Sequence, residues 1–178
     1  MQTFSAADTV SIPQRDLPML VLFDNLYSPI SARIRRHTRG FYSHVGWMYA
    51  PQLVSSQEFR LRVRRITNYL EGSYRLKFWY NPLWTEYDRQ KVIKEIKRQV
   101  ALPWWKTSYD WLGIFGHLTG VKWINFPHRD YCSENGGEIL SMLEPTFDLK
   151  HPSPADINRW CKKQKQMKVY GVFDPMRD

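Results

Sequence analysis

The sequence predicts an α+β fold in which an antiparallel sheet or small barrel packs against helices, and three observations carry that prediction. Hydrophobic patterns run strand, helix, several strands, several helices and a late strand, without the regular alternation of a parallel βαβ sheet. Behind a Thr85/Asp88 capping pair, Ile93, Ile96 and Val100 repeat at helical spacing. The segment Tyr131-Cys132-Ser133-Glu134-Asn135-Gly136-Gly137-Glu138-Ile139-Leu140 sets a cysteine where a helix begins, and Tyr42-Ser43-His44-Val45-Gly46-Trp47 sets a histidine in a strand far upstream.

Residues 1 to 16 are polar and irregular and read as a loosely attached lead-in, with residues 17 to 178 forming one domain. From Leu17 the chain reads LPMLVLFD, an apolar run of strand length that Asp24 is expected to end. Ser28 and Pro29 make a cap and first-turn pair for a short helix with Ile30 and Ile34 on one face, Arg33, Arg35 and Arg36 on the other, and Gly40 as its stop. Ser43 to Tyr49 is a strand, and RVRRITNYLEG a second one whose alternation is imperfect. RLKFWY after Gly72 is a third, and the tight link predicts an antiparallel pair over residues 62 to 80. The Thr85 helix exposes Lys91, Lys94, Glu95, Lys97 and Arg98 and closes at Pro103. The aromatic stretch WWKTSYDWLGIFGHLTGVKW has helical spacing from Trp111 to Leu118 and ends in a glycine-punctuated turn. After the cysteine helix, His151 to Asp156 is a turn into a short helix, and VYGVF is the last strand.

At 178 residues and 43% hydrophobic, with 8 Trp, 10 Tyr and 9 Phe, the chain is long and apolar enough to bury a core without disulfides. Its two cysteines, Cys132 and Cys161, are expected to be reduced thiols. The N-terminal MQTFSAADTVSIPQRD lacks the basic start and apolar run of a signal peptide, so a cytoplasmic location is expected, with delivery by another route left open. No stretch approaches the roughly 20 apolar residues that span a bilayer. Against 17 acidic residues stand 26 Lys and Arg, a net charge of +9 that favours anionic partners: nucleic acid, phosphate-bearing polymers or a membrane surface.

A cysteine at a helix N-terminus faces unsatisfied N–H groups and the positive end of the helix dipole, which favours thiolate over thiol. With a histidine as base, this is the pairing of a thiol nucleophile. The plainer readings are a buried structural cysteine and a core histidine. His117, His128 and Cys132 suggest a metal site only weakly, since no second close pair of ligands accompanies them, and no cofactor is expected. Glu134, in the first turn of the cysteine helix, is expected to interact with the dipole or with an arginine. The basic clusters Arg33 to Arg36, Arg60 to Arg65 and Lys162 to Lys165, with aromatics between them, leave a nucleic-acid-binding protein as an alternative.

Taken together, Ser43-His44-Val45-Gly46, Glu71 in Tyr69-Leu70-Glu71-Gly72, Tyr109-Asp110, Tyr131-Cys132-Ser133-Glu134 and Pro154-Ala155-Asp156 resemble, in that order, the circularly permuted NlpC-type papain-like cysteine hydrolases, in their YiiX-like branch. The resemblance spans residues 17 to 173. It departs after Cys132, where Asn135-Gly136-Gly137 replaces a more apolar helix face, so an irregular helix or one closely approached by another backbone is expected. The resemblance implies a permuted papain-like fold in which Cys132 attacks an acyl carbonyl, His44 accepts and returns the proton, and Glu71 orients the imidazole, with Asn68 as an alternative orienting group. The backbone N–H of Cys132 would give part of an oxyanion hole, and the hydroxyls of Tyr109 or Tyr131 are candidates to complete it. It implies a peptide or lipid acyl substrate, cell-wall peptides among them, and it leaves open a catalytically idle binding module.

Overall fold

In the computed structural model, residues 12–57, 61–70, 73–103 and 132–176 are described. They form six strands in one antiparallel sheet and four α-helices. The strands are β1 (Met19–Asn25), β2 (His44–Ala50), β3 (Leu53–Gln57), β4 (Leu61–Arg65), β5 (Tyr74–Tyr80) and β6 (Lys168–Phe173), ordered β4-β3-β2-β1-β5-β6. The helices are α1 (Pro29–Thr38), α2 (Glu86–Val100), α3 (Cys132–Leu143) and α4 (Pro154–Lys163).

β1 lies at the centre, flanked by β2 and β5, which is why its run Met19 to Phe23 is apolar at every position instead of alternating. Its odd and even residues feed two separate cores. Leu20 and Leu22 join Val45, Trp47 and Trp79 beneath Ile93 and Ile96 of α2, Ile139 and Leu140 of α3, and Ile157 and Trp160 of α4. Val21 and Phe23 join Met48, Val54, Ile66, Tyr69, Leu76 and Phe78 on the opposite face.

Local chemistry sets the helix starts. The Ser28 hydroxyl accepts from the Ser31 N–H at the head of α1, and full capping boxes, Thr85 with Asp88 and Ser153 with Asp156, open α2 and α4. The exit from α1 differs from the prediction. Arg39, not Gly40, takes the left-handed conformation, at φ 51°, while Gly40 is needed for another reason: a Cβ there would fall 2.4 Å from that of Ala155 in α4. Ile30 is exposed, and Ser31 is the buried residue of α1.

Further corrections concern the sheet. The expected pair over residues 62 to 80 does not form: β4 pairs with β3 at the sheet edge, whereas β5 pairs with β1 and β6. Between β4 and β5 the chain turns through a 3₁₀ helix, Ile66–Tyr69, that carries it across to the far side of β1. β3 itself carries too few apolar residues to announce a strand. Ser55 and Ser56 are buried because Ser55 donates to the Trp47 carbonyl and Ser56 shares a 2.7 Å hydrogen bond with the Tyr69 hydroxyl. Asp24 does not end β1; it lies inside it, fully buried and ion-paired to Arg35. Within the lead-in, Ile12 is buried and Gln14–Asp16 form a 3₁₀ turn, so its last residues are anchored to the body. The helix expected from Trp111 to Leu118 lies outside the described residues.

Candidate active site

His44 is the first residue of β2, opposite Phe23 of β1. Its ring packs against the Phe23 ring, with centroids 5.5 Å apart and planes at 53°, and its Nε2 is shielded from solvent. Phe23 in turn touches Tyr69 at 4.9 Å. These neighbours stand on the sheet face away from α3, because Val45 and Trp47 are the β2 residues that face the helices. The segment just before His44 is held on two sides. The Ser43 N–H donates to the Phe23 carbonyl at 2.9 Å, and the Ser43 hydroxyl donates to buried Asp24 at 3.5 Å.

α3 begins at Cys132 and lies on β2. Gly136, one turn along, has no Cβ, and one placed there would fall 2.5 Å from Cγ1 of Val45, the residue after His44. The Trp47 indole N–H donates to the Gly136 carbonyl at 3.3 Å. The expected irregular helix or approach by another backbone is not what the structure has: side chains, Val45 at Gly136 and Pro152 and Phe147 at Gly137, come close, and the helix stays continuous.

The direction of α3 follows from its other end. Glu144, buried, accepts from Asn81 Nδ2 at 2.7 Å and from the Trp84 indole N–H at 2.8 Å, just beyond the end of β5. Antiparallel pairing puts the end of β5 level with the start of β1 and the end of β2. α3 therefore runs opposite to β2, and its 12 residues carry its head about 18 Å back toward the end of the sheet where β2 starts. The first residue of α3 and the first residue of β2 share that end.

Of the other expected site residues, Glu71, Tyr109 and Tyr131 lie outside the described residues, as do His117, His128 and the side chain of Cys132. Asn68 is exposed in the 3₁₀ turn, while its neighbour Tyr69 is the residue turned inward. Glu134 is bonded to Nδ1 of His151. The two line an open groove of about 430 Å³ along the outer side of α3, together with Glu138, Asp148, Phe147 and Pro152. Cys161, the other cysteine, is fully buried, and burial pushes its thiol pKa up. The neighbours Phe23, Tyr69 and Asp24 escaped sequence reasoning. Only Asp24 left a signal there, a charge inside an apolar run.

A scan of the chain against protein-family models finds no match, and a search among curated proteins finds none either.

Proposed function

We propose that the chain is a cysteine hydrolase of the permuted papain-like kind, cleaving an amide or ester bond with Cys132 as nucleophile and His44 as its base. The observation that carries this reading is the opposed run of α3 and β2, which brings a cysteine-headed helix and a histidine-headed strand to one end of the sheet. A helix head offers free N–H groups to a thiolate and then to the oxyanion of a tetrahedral intermediate. The reading requires the His44 imidazole, which packs on Phe23 on the face away from α3, to turn past the end of the sheet toward the head of α3. The family resemblance adds Glu71 as the group that orients His44 and Tyr109 or Tyr131 at the oxyanion, and it suggests a peptide or lipid acyl substrate.

The reaction takes two steps. His44 removes the Cys132 proton as sulfur bonds to the carbonyl carbon, and it returns that proton to the departing amine or alcohol. Water, deprotonated by the same imidazole, then breaks the thioester and releases the acid.

Alkylation by iodoacetamide against pH tests the pair. Because Cys161 is buried and its thiol protonated, the reaction in the native protein reads Cys132. Cys132 is expected to react well below the free-thiol pKa of about 8.5 and to lose that reactivity in His44→Ala. An ordinary thiol profile in both proteins would overturn the reading.

A further inference from the structure

α1 contains no acidic residue. Arg35 turns inward to Asp24, but Arg33, Arg36, His37 and Arg39 line the outer side with Pro29 and Ala32. Among the described residues none of Arg33, Arg36 and Arg39 forms an ion pair. Large apolar side chains border this cationic face. Tyr27 before its N-cap is 72% exposed, Ile30 in its first turn 47%, and Phe41 after its end 67%. Two exposed aromatics thus stand at the ends of a basic helix about 15 Å long.

We propose that this face docks on an anionic phospholipid surface. Arginines supply the attraction to headgroups, while Tyr27, Ile30 and Phe41 enter the interface, where aromatic and aliphatic groups gain by leaving water. Ile30 favours lipid over single-stranded nucleic acid, since an aliphatic side chain offers bases no stacking platform. No helix among the described residues is long and apolar enough to cross a membrane. Phe41 precedes His44 by three residues, so the docked face adjoins the end of the sheet where β2 starts. On the hydrolase reading, and resting on it, docking directs the site to acyl groups carried at a membrane.

Flotation with vesicles tests docking independently of catalysis. The protein is expected to float with phosphatidylcholine vesicles containing phosphatidylglycerol and not with phosphatidylcholine alone. Arg33→Gln/Arg36→Gln is expected to weaken partition about 25-fold, at roughly fivefold for each basic residue near an anionic surface. Tyr27→Ser/Phe41→Ser is expected to weaken it while leaving its salt dependence unchanged. A thermal melt matching the parent verifies that each variant is folded, and Cys132→Ala is expected to float as the parent does. Equal flotation with both vesicle types, or no loss in the arginine variant, overturns the proposal. So does binding to a single-stranded oligonucleotide through the same arginines with no vesicle binding. Flotation without a reactive Cys132 would remove only the hydrolase reading, and a reactive Cys132 without flotation only the docking.

Discussion

Lys77 stands on the helix-covered side of β5, only 6% exposed, its ammonium 4.2 Å from the centre of the Trp79 ring. Burial first, and then the neighbouring Lys162, push its pKa down to about 8 from 10.5. The folded value lies below the unfolded one, so between these values the unfolded chain holds more protons and stability rises with pH; below about 8 the full cost remains. Lys77→Met is therefore expected to stabilise the protein at neutral pH by about 2 kcal/mol and to flatten the rise toward alkaline pH, as read by urea unfolding across that range. Gly136 makes the opposite case. Alanine in an open helix gains about 1 kcal/mol over glycine, but here its methyl would press on the branched Val45 side chain. Gly136→Ala is expected to lose about 1 to 3 kcal/mol in the same unfolding measurement, and a stabilised variant would show that α3 does not lie on β2 as described.

The elements most legible in the sequence are those whose signals are local. α2 and α4 announce themselves through Thr85/Asp88 and Ser153/Asp156, because a capping box is made by residues three apart. β3 was illegible for the converse reason: Ser55 and Ser56 become strand residues only through partners on β2 and in the Ile66–Tyr69 turn. The tail of α3 also depends on distant groups. Glu144 takes hydrogen bonds from Asn81, Trp84 and, at 3.2 Å, Gln166. Glu144→Leu orphans all three donors and is expected to cost about 2 to 4 kcal/mol, measured by chemical denaturation. Because this contact sets where α3 ends, the variant is also expected to slow Cys132 alkylation below the thiol pKa.

Across the whole molecule, buried charge ties together pieces far apart in the chain. Asp24 in β1 pairs with Arg35 of α1, lies 4.0 Å from Arg75 of β5 and accepts from Ser43 before β2; Arg75 also binds Asp174 beyond β6 at 2.9 Å. Asp24→Asn leaves Arg35 facing a neutral group in a water-poor site, while Arg75 keeps Asp174, so a loss of about 3 kcal/mol is expected in thermal melts. Added salt is expected to change that loss little, since buried pairs are weakly screened. The sequence by itself determined the α+β class, the helix starts, the central apolar strand and the pair Cys132 and His44 as candidates, because composition, caps and periodicity are written within a few neighbouring residues. The tertiary structure decided the strand order, the edge position of β4, the burial of Asp24 and the opposed run of α3 and β2. Those depend on which surfaces meet once the chain closes: a glycine against Val45, an indole on the Gly136 carbonyl, and a carboxylate held at the far end of the sheet.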